Sequence, residues 1–247
     1  MTHDVSAALA WMKRASTQKD RDNLGRFGIT AAQALGVSMV NLRAYAKKVG
    51  RDHDLALALW ATGVYEARLL AALVDEPARV TPAQMDTWCK DFDSWALCDT
   101  ACFALFDRTP HAWSKIARWA SRKNEFEKRA AFALLASMAL HDKKSLDAPF
   151  VESLALVERA ANDPRNFVKK GVSWALRSVG HRSSALHAAA SALATRLTKS
   201  ADTTTRWIGK DTLRDLDRPF AKARAAKRTA KQAGAGKRAR ATAPKKT

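Results

Sequence analysis

The chain is punctuated from end to end by helix-start and helix-stop signals, and no run between them alternates apolar and polar residues as a strand requires. Ser38 precedes MVNLRAYAKKV as an N-cap and Gly50 follows it as a stop. Thr81-Pro82 opens the stretch leading to Trp88, Thr109-Pro110 the one carrying Trp113 and Trp119, and Asp163-Pro164 another that Gly180 closes. The physics is local: a Ser, Thr or Asp oxygen satisfies the free amides of a first turn. Proline there forfeits no hydrogen bond, and glycine relaxes into the turn that ends a helix. Between these signals the periodicity predicts helices near 52–61, 64–74, 94–106, 125–141, 147–161, 185–199 and 202–216. The expected fold class is all-α.

Short loops between helices and a pairing interval of about forty residues favour a stack of HEAT-like helical pairs over a closed bundle. An Ala/Leu-rich helix followed by one bearing Trp, Arg and Lys recurs along the chain. We therefore expect one α-solenoid domain over residues 1–218, of about six helical pairs, with a basic concave face.

Charge narrows the partner. The chain carries 43 Lys+Arg against 24 Asp+Glu, a formal +19, which calls for a polyanion, nucleic acid first and an anionic membrane surface second. Ten of those bases lie in residues 219–247, which contain no acid; residues 1–218 keep 33 bases against 24 acids and remain basic. The terminal stretch is low in complexity and lacks large apolar residues after Phe220, so it is expected to be a disordered basic tail, attracting phosphate without sequence preference or merely solubilising the chain.

Other chemistries lack their motifs. Cys89, Cys98 and Cys102 form neither a disulfide framework nor a CxxC, and six scattered histidines lack metal-ligand spacing. GxGxxG, GxxxxGK[ST] and GxSxG are all missing, so no cofactor is expected. No apolar run reaches the ~18 residues of a membrane span and the N-terminus is not ordered like a secretory signal. These features predict a cytoplasmic, nucleoid-associated monomer without a membrane partner.

Two stretches concentrate polar groups where chemistry could occur. In DFDSWALCD, Trp95 and Asp99 are four residues apart and share a helix face; Leu97, Ala101, Ala104 and Leu105 make an apolar stripe, with Cys102 and Phe106 on the side of Trp95 and Asp99. A carboxylate among aromatic neighbours is a candidate for catalysis, and equally for pairing with a nearby arginine or capping a neighbouring helix. In RNFVKKGVSWALRSVG, Val168, Val172, Leu176 and Val179 form a core stripe, whereas Lys170, Trp174 and Arg177 lie opposite. A Trp between two cations suits a surface that meets sugar and phosphate, although Trp174 could instead pack into the next repeat. Arg129 lies with the small residues Ala133, Ala136 and Ser137, which leave its guanidinium room to reach a phosphate; an ordinary exposed Arg would read the same.

Taken in order, the blocks LWATGVYEARLLAAL, DFDSWALCD, FEKRAAFALLA and NFVKKGVSWALR resemble the DNA alkylation repair glycosylases of the AlkD-like HEAT-repeat family over roughly residues 20–216. The resemblance implies a monofunctional glycosylase that hydrolyses the N-glycosidic bond of N3- or N7-alkylated purines in duplex DNA. It maps the catalytic carboxylate onto Asp99, its aromatic companions onto Trp95 and Trp174, and a phosphate-binding Arg onto Arg129. Lys170 and Arg177 would hold further phosphates. An aromatic that is usually tyrosine in the best-known branch falls on Phe27, which keeps the ring and loses the hydroxyl. The rival is a non-catalytic HEAT-repeat protein that binds DNA structures or scaffolds other macromolecules, since fold alone does not establish catalysis.

Overall fold

A computed structural model describes residues 4–29, 31, 33–219 and 221–230. The chain divides into two compact units, Met1–Leu134 and Leu135–Thr247. The regular elements among the described residues are all helices, and no strand occurs among them.

The first unit contains α1 (Val5–Ala15), α2 (Gln18–Arg26), α3 (Met39–Val49), α4 (His53–Ala61), α5 (Tyr65–Val74), α6 (Pro82–Lys90), α7 (Trp95–Ala104), a 3-10 turn (Phe106–Arg108), α8 (Ala112–Trp119) and the start of α9 (Glu125–His141). Several expected caps form. Ser38 accepts from the Asn41 amide and Thr81 from Gln84, and Gly50 ends α3 at φ +81°; Ser94, not anticipated as a cap, accepts from the Leu97 amide. Thr109 does something else: its hydroxyl donates to the Phe106 carbonyl, closing the 3-10 turn, and α8 begins at Ala112 without a side-chain cap. The core is aromatic. Trp60 and Trp88 stack at 3.9 Å, and Phe92, Phe106 and the fully buried Trp119 extend the cluster. The Trp119 indole donates to Asp86 at 2.8 Å, and the same carboxylate holds the buried Lys115 ammonium at 2.7 Å. A cation taken out of water is tolerable only when paired and hydrogen-bonded in this way.

The second unit contains the end of α9, α10 (Ala148–Ala160), α11 (Asn166–Gly180), α12 (Ser184–Thr198) and α13 (Thr203–Leu216). α10 packs on α12 and α11 on α13, two layers of parallel neighbours, while α10–α11 and α12–α13 form the antiparallel pairs. The predicted core stripe of α11 is fully buried: Val168, Val172, Leu176 and Val179 are all at 0 % exposure.

Residues 221–230, expected to be disordered, form a further helix, α14. Ala221 and Ala225 are buried, and the Arg228 guanidinium donates to the carbonyls of Ala139 (3.0 Å) and Leu140 (3.4 Å) at the end of α9. Arg182, itself fully buried, donates to the carbonyls of Asp142 and Ser145 beside it. Arg228 thus satisfies carbonyls that the end of α9 leaves open, which offsets the ordering of a segment with little apolar surface of its own, while Arg182 holds the loop that follows. The rest of the expected tail, 231–247, lies outside the described residues.

Candidate active site and nucleic-acid interface

Asp99 lies in the middle of α7, a helix buried on both flanks: Leu97, Cys98, Ala101 and Cys102 are all inaccessible. Its carboxylate is gripped by Arg129 of α9 through two parallel hydrogen bonds, Nε to Oδ1 at 2.9 Å and Nη2 to Oδ2 at 2.7 Å. This fork-on-fork geometry fixes the plane of the carboxylate as well as neutralising it. The Asp99 side chain keeps 18 % of its surface, the Arg129 side chain 7 %. Burial pushes the Asp99 carboxyl above the ordinary carboxylate range, with the charge and hydrogen bonds of Arg129 opposing it. Burial acts the other way on Arg129, but Asp99 wins and raises the guanidinium above its usual value.

Arg129, expected at a phosphate, thus has its Nε and Nη2 engaged by Asp99. Ala133, Ala136 and Ser137 on its helix face are small because that face is buried, not because it is open. Phe106 is also displaced from its expected place beside Asp99. α7 stops at Ala104, Leu105 leaves helical geometry, and the Phe106 ring joins the core cluster near Trp88 and Trp119.

Trp95 opens α7 behind its Ser94 cap and is half-buried. Its indole Nε1–H donates to the backbone carbonyl of Phe27 at 2.9 Å, joining positions 68 residues apart. Phe27 caps the end of α2 and is 63 % exposed. The loop that follows is anchored by Glu66: this fully buried carboxylate accepts from the amides of Leu35 (2.8 Å), Gly36 (2.7 Å) and Val37 (3.3 Å). The first unit thus brings together Phe27, Trp95, Asp99 and Arg129, four of the residues singled out in the sequence. Cys98 and Cys102 point at the carbonyls of Phe126 and Ala130 and tie α7 to α9; burial drives the Cys102 thiol far from ionising, so it is a structural group.

Beside the same helix is a cleft of about 270 Å³ lined by Gln33, Tyr65, Arg68, Asp93 and Leu97 among others. Burial, with Glu66 and Asp93 adding to it, pushes the Tyr65 phenol well up, so it stays neutral. Sequence reasoning misses this cleft because its wall comes from three separate segments.

The remaining site residues lie on α11 in the second unit. Lys170 is exposed, and Trp174 and Arg177 are half-buried, on the face opposite the core stripe as expected. Arg177 is 3.7 Å from Asp211 of α13, a carboxylate that also accepts from Ser173 at 2.6 Å and pairs with Arg214. One residue on this surface escapes the sequence reading. Trp207 of α13 is 38 % exposed with the Lys169 ammonium 4.8 Å above its ring. The signal is present in RWIGK, a Trp with Arg one residue before it and Lys three after.

Among the described residues no group of His, Cys, Asp and Glu could hold a metal ion, and no helix is long and apolar enough to cross a membrane.

Parallel helical layers, with ion pairs and hydrogen bonds joining like positions of successive pairs, define a HEAT-like repeat protein. The chain belongs to the DNA alkylation repair enzyme family, whose model matches residues 8–216. A solved structure described as a new family of proteins related to the HEAT-like repeat DNA glycosylases, with affinity for branched DNA structures, shares this fold. The likeness has a TM-score of 0.72 at 17% identity and covers 86% of this chain and 95% of that one. No curated protein matches the chain.

Proposed function

We propose that this protein is a monofunctional DNA glycosylase that removes positively charged N3- or N7-alkylated purines from duplex DNA, with Asp99 as its catalytic anion. Family membership supports repair of alkylated DNA. The single observation that carries the assignment of Asp99 is its placement: a carboxylate oriented by a bidentate arginine, mostly removed from water yet still accessible, one turn from a half-exposed Trp.

The chemistry asks little of the protein. Alkylation at N7 or N3 makes the purine cationic, so when the C1′–N bond breaks its electron pair neutralises the base and no general acid is needed. Water attacks C1′ of the oxocarbenium-like sugar and loses its proton. An anion fixed beside that sugar lowers the barrier by stabilising developing positive charge and by orienting the water. Arg129 holds Asp99 in place. Trp95, steadied by the Phe27 carbonyl, offers a ring face to a cationic nucleotide. Trp174, Lys170 and Arg177 are assigned to DNA contact from the second unit. The partner is duplex DNA, and the protein acts as a monomer.

A second reading has a specific observation in its favour. The charge of Asp99 is already matched by Arg129, as expected of a purely structural pair, and a protein of this fold has affinity for branched DNA. A DNA-structure-binding protein without catalysis would look the same. Single-turnover release of free base from duplex DNA containing N7-methylguanine decides between them. The glycosylase reading expects release by the parent and a loss of ~10²-fold or more in Asp99→Asn, as for removal of one transition-state charge partner. A parent that binds the duplex and releases no base from N3- or N7-methylated purines overturns it.

A further inference from the structure

Trp207 is the one exposed large aromatic among the described residues of the second unit, and its surroundings are cationic. Lys169 lies over its ring at 4.8 Å. Lys170, the next residue on α11, is exposed, and so is Lys210, three positions along α13 and therefore on the same side of that helix as Trp207. The nearest acid on that face, Asp211, is already engaged by Ser173, Arg177 and Arg214 and does not offset these lysines.

The position is set by the repeat. α11 and α13 run parallel with a constant offset: Lys169 meets Trp207 and, one turn on, Ser173 meets Asp211, each pair 38 residues apart. Trp207 is therefore one turn along the α11–α13 seam from the level of Ser173, the residue before Trp174.

We propose that Trp207, flanked by Lys169, Lys170 and Lys210, is an aromatic platform on which an unpaired nucleic-acid base stacks while the lysines hold the adjoining phosphates. This rests on the reading above that the chain binds DNA, and adds to it a preference for unpaired bases that Asp99 chemistry does not require. In the free protein the Lys169 ammonium occupies the ring. Relative magnitudes decide whether a base can take its place. An exposed cation–π contact is worth about two- to fivefold in an equilibrium constant. A base stacked on an aromatic side chain is worth about five- to a hundredfold, whatever its identity. The base therefore displaces the ammonium, which gains a phosphate in exchange.

The test compares binding of the full-length protein to two unmodified, fluorescein-labelled DNAs, a fully paired duplex and the same duplex with a single-stranded overhang. Trp207→Ala is expected to cut the preference for the overhang about fivefold or more, with Trp207→Phe retaining most of it. Lys210→Glu, at an exposed position away from the core, is expected to weaken the overhang complex more than the paired one. A preference unchanged in a folded Trp207→Ala protein overturns the proposal. So does an equal effect of Lys210→Glu on both DNAs, which also decides the matter if Trp207→Ala fails to fold. Base release from alkylated paired duplex is measured in parallel. Its absence overturns the glycosylase reading and leaves the binding ratio interpretable, whereas an unchanged ratio with release intact removes the platform alone.

Discussion

The Arg129 guanidinium closes on both oxygens of Asp99, and through it a residue whose sequence setting suggests a phosphate ligand becomes the group that opposes burial in setting when the proposed catalytic anion is ionised. Burial raises the Asp99 carboxyl and Arg129 pulls it down. In the parent, base release should therefore fall on acidification in a range above that of an ordinary carboxylate. Arg129→Gln removes the lowering influence and leaves burial unopposed, so the acidic limb moves to higher pH and activity at neutral pH drops. A single-turnover pH profile of the two proteins reads this shift, and an acidic limb that does not move shows that Asp99 ionisation does not limit the reaction.

Trp95 contributes both a ring and an indole N–H. Trp95→Phe keeps the ring but leaves the Phe27 carbonyl to water, a loss of about 1 kcal/mol for a partly exposed hydrogen bond. Trp95→Ala removes both. The expected order of base release is parent, then Trp95→Phe, then Trp95→Ala. Equal reductions in the two variants would assign the whole effect to the hydrogen bond that positions the Phe27 loop.

Much of this arrangement is legible in the sequence and some is not, for identifiable reasons. Periodicity places α9 at its observed limits, 125–141, and the caps at Ser38 and Thr81 form as expected, because capping is a local contest over a few amides. α1 and α2 are not anticipated; α2 buries no residue and so carries no apolar stripe to read. Helical spacing pairs Trp95 with Asp99 correctly. It does not give the direction of Arg129, because a run of Ala and Ser reads identically whether it faces solvent or a tightly packed neighbour. α14 escapes for the same kind of reason: its order comes from Arg228 reaching carbonyls 88 and 89 residues away, which no local composition encodes.

Asp86 is the hinge of stability in the first unit. Burial would raise its carboxyl, but hydrogen bonds from Lys115 and Trp119 together hold it below the ordinary value. With the folded value depressed, its contribution is present above the unfolded carboxylate range near 3.8 and is lost as pH falls through the lower folded value. Asp86→Ala leaves the Lys115 ammonium buried without its charge partner, an expected loss of about 3–5 kcal/mol in urea unfolding at neutral pH. The variant should also lack part of the acid sensitivity of the parent.

Gly36 turns the chain between the Phe27 loop and α3 at φ +88°, where a side chain is strained. An added Cβ would fall 2.6 Å from the Thr17 carbonyl oxygen and 2.9 Å from the Arg21 backbone nitrogen, both backbone atoms that cannot swing aside. Gly36→Ala is expected to cost more than the ~1–2 kcal/mol of left-handed geometry alone. A shifted urea midpoint at constant slope would report it.

The basic C-terminal stretch makes two separable contributions. α14 is fixed to the end of α9 by Arg228, so its exposed Lys222, Arg224 and Lys227 stand at defined positions, while residues 231–247 add six further cations. Removing 231–247 takes away charges that attract any phosphate, so the slope of log affinity against log salt should become shallower by about 0.9 for each phosphate no longer neutralised, and binding should persist. Arg228→Ala in the full chain releases α14 from the α9 carbonyls without touching the other cations. If fixed position matters, this single change weakens binding to unmodified duplex while altering the salt slope by about 0.9 at most. If only total charge matters, its effect equals that of Lys227→Ala. Abolition of all DNA affinity by the 231–247 deletion would instead assign nucleic-acid binding to the tail and leave the folded units a scaffold.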